Sequence, residues 1–358
     1  MLQSDILLRL TSLDSPAVVA WIVSVSGSAP RHEGTAMLIP QTGESLGTVG
    51  GGIVEARALE KARECFAHSA SSMAEVFLEG EEAKGSEGIC GGKVCLMLDY
   101  IEPGGLYSLA AASFDAGSGA ILVLKPDGIE PGAIAALDAT GSVLARRGQA
   151  SVPGSGFVPE SGAAAKALSS PSGFYKSPSG LLYAAVAFPD SLLILGGGYV
   201  GSALAWLAPR LGFKVTVADF RPEFASPGRF PPEVRCRLGD FSGAIEEFPF
   251  DARTSYVVVV SPGHAQDLEC LRSILVREYR YAGFIGSKRK ARLLLESLIA
   301  EGFPRHKVLS LRGPIGADIG AETPEEIAVS ILAEMIAVRR GSPAADAMDA
   351  DRSRRRGL

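Results

Sequence analysis

The second half of the chain alternates short apolar segments with amphipathic ones, and this alternation limits the folds it can adopt. Residues 191–219 read as a strand, a glycine turn, a helix and a second strand. Further apolar segments at 254–264, 281–287 and 307–313 predict more strands, with helical patterns between and after them. Strands that alternate with helices form a doubly wound parallel sheet. We therefore predict a Rossmann-like domain from residue 190 to 341.

The first half has a different pattern, which predicts a mixed α/β domain over residues 1–189. Its signals are helices at 2–13 and 53–67 and strands at 17–25, 35–40 and 93–100. From 104 to 189 the chain is rich in glycine and serine, so we predict a loop-rich part with a few short strands. Residues 342–358 end in RSRRRGL and predict a disordered tail.

Composition narrows the class of protein. A length of 358 residues suits two domains, and a net charge of -5 argues against general binding to nucleic acid or to an anionic membrane. The apolar runs are too short to span a bilayer, and the first residues lack the pattern of a secretory signal. Five scattered cysteines indicate free thiols rather than a disulfide framework, which favours the cytoplasm.

A glycine pattern follows the first strand of the Rossmann-like half. Gly196, Gly198 and Gly201 form G-x-G-x-x-G at the predicted start of a helix, and Asp219 ends the next strand. Such glycines allow a tight turn and bring a pyrophosphate close to the helix N-terminus, while the acid is spaced to bind a ribose hydroxyl. The same glycines could instead serve only the turn, and Arg221 could meet a 2′-phosphate or be a surface charge.

Cations gather at a second strand-to-helix junction. Ser287, Lys288 and Arg289 follow a predicted strand and open a helix, where free backbone N–H groups also point outward. Cations at a helix N-terminus oppose its dipole, so we predict an anion site rather than a solvated helix start. A glycine-rich loop at 314–320 then precedes a capping box, and its Asp318 is a candidate polar contact in the same cleft.

The first half offers a few candidate ligand contacts. Arg31 lies in a polar loop after a strand, and Glu55 follows three glycines at a predicted helix start, where an acid also favours the helix dipole. Cys90 is flanked by glycines, so its thiol is open to sulfur or metal chemistry or is simply a small loop residue. The chain has neither C-x-x-C nor a histidine cluster, so we predict no protein-coordinated metal.

Together these motifs resemble the XdhC/CoxI family of xanthine dehydrogenase accessory proteins. The resemblance rests on GSAPRHEG, GTVGGGIVEA, GICGGKV, LLILGGGYVG, FIGSKRK and the block that runs from PIGADIG to AVRRG. It spans both halves in the right order and is faintest from 104 to 189. The final block is long and unusual, so it is the most specific of these motifs.

The resemblance implies a maturation factor that holds molybdenum cofactor, supports its sulfuration with a cysteine desulfurase and delivers it to a molybdenum hydroxylase. A homodimer is expected, with a cofactor cleft between the two domains. Carried over by position, Cys90 would be the functional thiol, and the ligand contacts would come from Arg31, Glu55, Lys288, Arg289 and Asp318. Two positions depart from the family: Ile53 stands where members often have Cys or His, and the SPGH loop keeps only His264.

Two other functions fit parts of the pattern. An NAD(P)-dependent oxidoreductase would explain the glycine pattern with Asp219, although the sequence shows no convincing set of residues for hydride transfer beyond His264. A redox or nucleotide sensor would use the Rossmann-like domain to report a cofactor level to a partner. Oxidation of NADPH with a panel of substrates would support the first, and partner binding that depends on redox state would support the second.

Overall fold

The structure is a computed structural model, and it describes residues 4–78, 92–115, 119–127, 131–147, 158–170, 173–186 and 190–356. The chain divides into two compact units, Met1–Phe188 and Pro189–Leu358. Unit 1 holds two antiparallel sheets and unit 2 holds one parallel sheet, each of five strands. The α/β class and the Rossmann-like second half are confirmed.

The first sheet of unit 1 has the strand order β3-β2-β1-β5-β4. Its central strand β1 is buried on both faces over seven successive residues, because separate apolar clusters cover the two faces. The elements of this part are α1 (Ser4–Thr11), β1 (Ala17–Ser26), β2 (Ala36–Pro40), β3 (Leu46–Gly47), α2 (Gly52–His68), β4 (Ser72–Phe77) and β5 (Lys93–Ile101).

The described residues between 104 and 186 include a second sheet, with the order β8-β7-β6-β10-β9. The prediction of a loop-rich part was therefore wrong in extent. Its strands are short, and β7 and β10 are rich in alanine, which weakens their hydrophobic signal, yet β10 is buried along its whole length. The elements are α3 (Leu106–Asp115), β6 (Ala120–Lys125), β7 (Gly132–Asp138), β8 (Val143–Arg146), α4 (Ala163–Ser169), β9 (Phe174–Lys176) and β10 (Leu182–Val186).

Unit 2 is a parallel sheet of order β13-β12-β11-β14-β15 with helices on both faces. Because β12 and β14 flank β11, the chain reverses its direction of winding there, and ligands of such sheets bind beyond the carboxyl ends of the strands. The strands are β11 (Ser191–Leu195), β12 (Lys214–Asp219), β13 (Arg235–Leu238), β14 (Ser255–Val259) and β15 (Tyr281–Phe284).

The helices of unit 2 divide between two apolar clusters. α5 and α10 cover one face of the sheet, and α6 to α9 cover the other. The helices are α5 (Tyr199–Leu207), α6 (Phe241–Glu247), α7 (His264–Leu275), α8 (Lys288–Ala300), α9 (Arg305–Ser310), α10 (Pro324–Arg340) and α11 (Pro343–Arg356).

Two predictions for unit 2 need correction. Residues 307–313 were expected to form a strand, but α9 occupies most of them, and only an isolated bridge joins Arg312 to Gly283. The apolar residues there recur at a helical interval. The tail from 342 was expected to be disordered, but most of it forms α11. That helix is held by burial of Ala345 and by an ion pair between Asp349 and Arg312.

Candidate functional site

The glycine loop after β11 combines two kinds of glycine. A Cβ at Gly201 would lie 1.9 Å from the carbonyl oxygen of Gly196, and one at Gly196 would lie 2.4 Å from that of Val260. These two glycines are required by packing of the backbone. Gly198 differs, because a Cβ there would meet no atom within 4 Å and its φ of -63° suits any residue. Gly198 therefore borders open space at the start of α5.

Asp219 fastens this loop to the end of β12. Its buried carboxylate accepts hydrogen bonds from the backbone N–H of Gly197 at 2.8 Å and from Nε and Nη2 of Arg221 at 2.9 and 2.8 Å. Burial raises the pKa of Asp219, but these hydrogen bonds outweigh burial and hold that pKa below its ordinary value. The guanidinium of Arg221 also lies 3.9 Å from the ring centre of Phe224. Contact of Asp219 with a ribose stays a prediction.

The cations at the start of α8 have different surroundings. Ser287 caps the helix, since its hydroxyl oxygen accepts the N–H of Lys290 at 3.2 Å. Lys290 forms an ion pair with Asp267 of α7, which is fully buried and also accepts the hydroxyl of Ser261 at 2.5 Å. Lys290 therefore has a structural partner. Lys288 and Arg289 are exposed, so they remain the candidates for an anion site.

A cavity of about 680 Å³ lies next to these cations, at the carboxyl end of β15. Gly286 and Lys288 from the α8 start contribute to it, as does the loop that contains Asp318. Arg289 is not among the residues that form its wall. The apolar part of the wall comes from Ile285, Ile315, Ile319, Ile327 and Met348. Two motifs that are far apart in sequence therefore meet at one cavity.

A buried acid holds the cavity loop in place, and the sequence analysis missed it. Glu334 of α10 has no exposed surface, and its carboxylate accepts the hydroxyl of Tyr281 at 2.7 Å and the N–H of Gly316 at 2.9 Å. The hydroxyl of Ser330 donates to the carbonyl oxygen of Ala317 at 2.7 Å. The available signal was the position of Glu334 among apolar residues of the predicted helix.

Described residues of the unit 1 motifs meet at one end of the strands of its first sheet. A Cβ at Gly50 would lie 2.7 Å from Cγ of Pro30, and one at Gly92 would lie 2.0 Å from the carbonyl oxygen of Ser28. The loop that contains Arg31 therefore packs against the glycine run and against Gly92, which directly precedes β5. Cys90 itself lies outside the described residues.

Glu55 has a local structural role at this end of the sheet. Its carboxylate accepts the N–H of Gly51 at 3.0 Å and the hydroxyl of Thr48, so it closes the glycine turn at the start of α2. The glycines at 50, 51 and 52 have φ values of 120°, 72° and 51°, a conformation that favours glycine. Arg31 is exposed beside them. The arrangement places a cation next to a constrained backbone turn.

The positions that depart from the family pattern are both exposed. Ile53 lies in the first turn of α2 with 59% of its surface exposed, and His264 is the first residue of α7. Among the residues that the structure describes, no three His, Cys, Asp or Glu side chains are grouped to hold a metal ion. Over the same residues, no helix combines the length and apolar character of a membrane span.

Comparison with known proteins identifies the family. Residues 11–76 match the model of the XdhC and CoxI family, and residues 192–335 match that of the XdhC Rossmann domain. The chain belongs to the XdhC and CoxI family. The XdhC Rossmann match contains the glycine loop, the start of α8 and the cavity loop. The other match contains Arg31 and Glu55, whereas Cys90 lies beyond both.

Three similar proteins extend this finding. YqeB of Escherichia coli K12, described as uncharacterized, is 25% identical over 337 residues, which are 94% of this chain and 46% of YqeB. A probable xanthine dehydrogenase component of Bacillus subtilis 168 is 31% identical over 149 residues, 42% of this chain and 43% of that protein. The matches span less than half the length of these two relatives.

The third is a solved structure, described as a xanthine dehydrogenase from Bacillus halodurans. It has the same fold as this XdhC and CoxI family chain, with a TM-score of 0.74 at 24% identity. The superposition covers 96% of this chain and 98% of that one.

Proposed function

We propose that this chain is an accessory protein that binds molybdenum cofactor and delivers it to a molybdenum hydroxylase such as xanthine dehydrogenase. It would hold the cofactor while a cysteine desulfurase supplies sulfur, and it would then pass it to the apoenzyme. The proposal rests on membership of the XdhC and CoxI family and on the similarity to the Bacillus subtilis protein. The observation that carries it is that the start of α8 and the loop at 314–321 form the wall of one and the same cavity.

The cavity residues fit the chemistry of this cargo. Molybdenum cofactor combines a flat pterin with a phosphate, and the cavity combines apolar walls with Lys288 at the start of α8. Backbone N–H groups of the first helical turn and a lysine bind phosphate well, because both donate hydrogen bonds and carry positive charge. The apolar isoleucines would pack against the pterin face. Bound cofactor supplies the molybdenum chemistry of the client enzyme.

Each cavity element has a separate part in this proposal. Lys288 would hold the phosphate at the helix start that Ser287 caps, and Arg289 would add a neighbouring positive charge. Asp318 is exposed on the loop that Glu334 and Ser330 fasten to α10, and it would contact polar groups of the pterin. Glu334 and Ser330 are positioning residues, since their hydrogen bonds go to the loop backbone.

The proposal also gives three residues of unit 1 a part in handling the cofactor. Cys90 would approach the molybdenum ligands, because a thiolate is a soft ligand and nucleophile. Its assignment rests on the family resemblance. Arg31 would contribute a cation, whereas Glu55 would act through the glycine turn that it closes.

A nucleotide is a second candidate ligand for unit 2. The observation in its favour is the open space beside Gly198 at the start of α5. The hydrogen bonds of Asp219 already join Arg221 to Gly197, so the acid has a structural task with or without a ribose. An NAD(P)-dependent activity would need that open space to admit a pyrophosphate.

Isolation from a molybdenum-sufficient host tests the proposed cargo. The wild-type chain should carry molybdenum, measured by mass spectrometry, and a pterin, measured by fluorescence after oxidation. Replacing both Lys288 and Arg289 with Gln should lower retention about tenfold or more, because hydrogen bonds to charged groups contribute about 1.5–3 kcal/mol each. Arg292→Gln is the matched control, since Arg292 is an exposed cation of α8 away from the cavity wall.

The possible outcomes test the proposed function and the proposed binding site separately. A wild-type chain without molybdenum or pterin would contradict the proposed function. Full retention by the double variant would show that the cofactor binds away from the α8 start. Equal losses in the double variant and in Arg292→Gln would mean that the effect is one of general charge.

A further inference from the structure

Unit 1 contains a cavity of about 480 Å³ that none of the family motifs reaches. It lies between the start of α3 and the end of β8, and the end of β5 forms a further wall. One side is apolar and includes Ile101, Leu106 and Leu109. The other side carries two arginines in succession, Arg146 and Arg147. A volume of this size is typical of sites for small molecules, which usually occupy about 300–1,000 Å³.

The charge of Arg147 is already neutralised. Its Nη2 lies 2.8 Å from Oδ1 of Asp99, a carboxylate with no exposed surface. Asp99 also accepts the hydroxyl of Tyr107 at 2.8 Å and the N–H of Ala133 at 2.7 Å. Arg147 is therefore fixed in place by a network that joins β5, α3 and β7, and its cation has a carboxylate partner.

Arg146, in contrast to Arg147, has no carboxylate partner among the described residues. Its Nε is buried and has no hydrogen-bond partner within the part of the chain that the structure describes. No ion pair joins Arg146 to another described residue. The side chain as a whole is half-buried, and its guanidinium keeps its charge at all ordinary pH values. A buried N–H without a partner needs a hydrogen-bond acceptor, and an anion suits a donor that belongs to a cation.

The start of α3 adds to the positive character of the cavity. Gly104, Gly105 and Leu106 lie at its wall, and the first turn of α3 contains no acidic residue. The N-terminus of a helix carries partial positive charge, which favours an anion. Glu102 also lies at the wall, but it is exposed, so solvent screens its charge. Among the described residues of the wall, Arg146 is thus the cation without a carboxylate partner.

We propose that this cavity binds an organic monoanion, an apolar body with one carboxylate. The carboxylate would pair with the forked donors of Arg146, whose planar geometry matches it. The body would lie against Ile101, Leu106 and Leu109. The site is independent of the proposed molybdenum cargo, since every residue of the cavity belongs to unit 1 and to none of the family motifs.

Titration of the full chain with benzoate tests the proposal, followed by calorimetry or by chemical shifts of unit 1. Benzoate should bind saturably, and benzyl alcohol, which has the same apolar body without charge, should bind about tenfold or more weakly. Arg146→Gln should weaken benzoate by a similar factor. Arg63→Gln, an exposed cation of α2, should leave affinity unchanged.

A second variant keeps the test decisive if Arg146→Gln lowers stability. Leu109 is 46% exposed, so Leu109→Glu should fold and should repel benzoate from the cavity. Absence of saturable benzoate binding to the wild-type chain would overturn the proposal. So would equal affinity in Arg146→Gln or in Leu109→Glu. Tighter binding of inorganic phosphate than of benzoate would overturn the assignment to an organic monoanion.

Discussion

At the scale of single residues, one glycine pattern contains positions with opposite requirements. Gly196 and Gly201 meet neighbouring backbone at distances that exclude a Cβ, whereas Gly198 borders open space. The sequence pattern alone treats the three as equivalent. The difference matters for mutagenesis. A substitution at Gly198 can change ligand binding without disturbing the packing of the backbone, whereas a substitution at Gly196 or Gly201 disturbs that packing.

Gly198→Ser and Gly201→Ser should therefore have different effects. Serine is a favourable N-cap residue, so Gly198→Ser should change the free energy of unfolding by only a few tenths of a kcal/mol. Gly201→Ser forces a Cβ against the Gly196 carbonyl and should cost about 1–3 kcal/mol. Urea unfolding measures both. If a nucleotide binds beside Gly198, calorimetry should show binding to the wild-type chain and a clear loss in Gly198→Ser.

Equal destabilisation by the two changes would contradict this account of the loop. Nucleotide binding at Gly198 requires that calorimetry detect heat when NAD(H), NADP(H), FAD or ATP is added to the wild-type chain. Without it, the open space beside Gly198 serves no adenine nucleotide, and the glycine pattern reflects the turn alone.

Asp219 should make stability depend on pH. The pKa of Asp219 in the folded chain lies below its ordinary value, because hydrogen bonds from Arg221 and Gly197 outweigh the effect of burial. Its contribution to the free energy of unfolding is therefore complete above the pKa of an unfolded aspartate, about 3.9, and is lost as pH falls through the folded pKa. Asp219→Asn should be less stable than wild type at pH 7, and the difference should shrink towards pH 3.

Urea unfolding at several pH values measures that difference. The expected loss at pH 7 is about 1.5–3 kcal/mol, the range for hydrogen bonds to charged groups. Asp346→Asn provides the control, because Asp346 is exposed on α11. A difference between wild type and Asp219→Asn that stays constant from pH 7 to pH 3 would contradict the assigned role of the carboxylate.

Some contacts of individual residues could not be predicted from the sequence. The cations at the start of α8 were expected to serve a ligand, yet Lys290 pairs with Asp267 from the preceding helix. Glu334 holds a loop that precedes its own helix. Both contacts depend on which elements the fold brings side by side, and no local pattern records that.

At the scale of elements, strong periodicity predicted structure well. The buried strand β1, the helices α2, α8 and α10 and the capping box at Thr323 were all predicted from pattern and are confirmed. The failures occurred where the signal was weak. The second sheet of unit 1 consists of short strands, two of them rich in alanine. The helix α11 is rich in charged residues, and tertiary contacts hold it in place.

The helix α11 forms part of the cavity wall in unit 2. Ala344, Ala347 and Met348 face the cavity, and both oxygens of Asp349 pair with Arg312 at 2.5 and 2.6 Å. The helix joins α10 through Gly341, which has a φ of 56°. A change in α11 should therefore alter access to the cavity without altering the sheet.

Asp349→Asn should loosen this helix. Asp349 is partly exposed, so we expect a loss of about 0.5–1 kcal/mol for local opening of α11, in the range of surface ion pairs. Hydrogen exchange in α11 should become faster, while exchange in β14 should not change. Asp346→Asn on the same helix is the control. Unchanged exchange in α11 after Asp349→Asn would show that the ion pair does not hold the helix.

At the scale of the whole molecule, the family motifs are distributed over two units with separate cores. The described motif residues of unit 1 lie at one end of the strands of its first sheet, and those of unit 2 lie at the carboxyl ends of its strands. The two-part pattern in the sequence predicted both folds in outline. The chemistry was harder to predict, since Cys90 lies outside the described residues and its role rests on the family resemblance.

The most direct test is maturation of a client enzyme. A molybdenum hydroxylase that lacks its accessory protein is co-expressed with this chain, and its molybdenum content and specific activity are measured. We expect both to rise with the wild-type chain and with Cys95→Ser, a matched change at a half-buried strand position. Cys90→Ser should give a much smaller rise at unchanged melting temperature, because a hydroxyl is a poor substitute for a soft thiolate. A client that matures equally well with and without the chain would contradict the account.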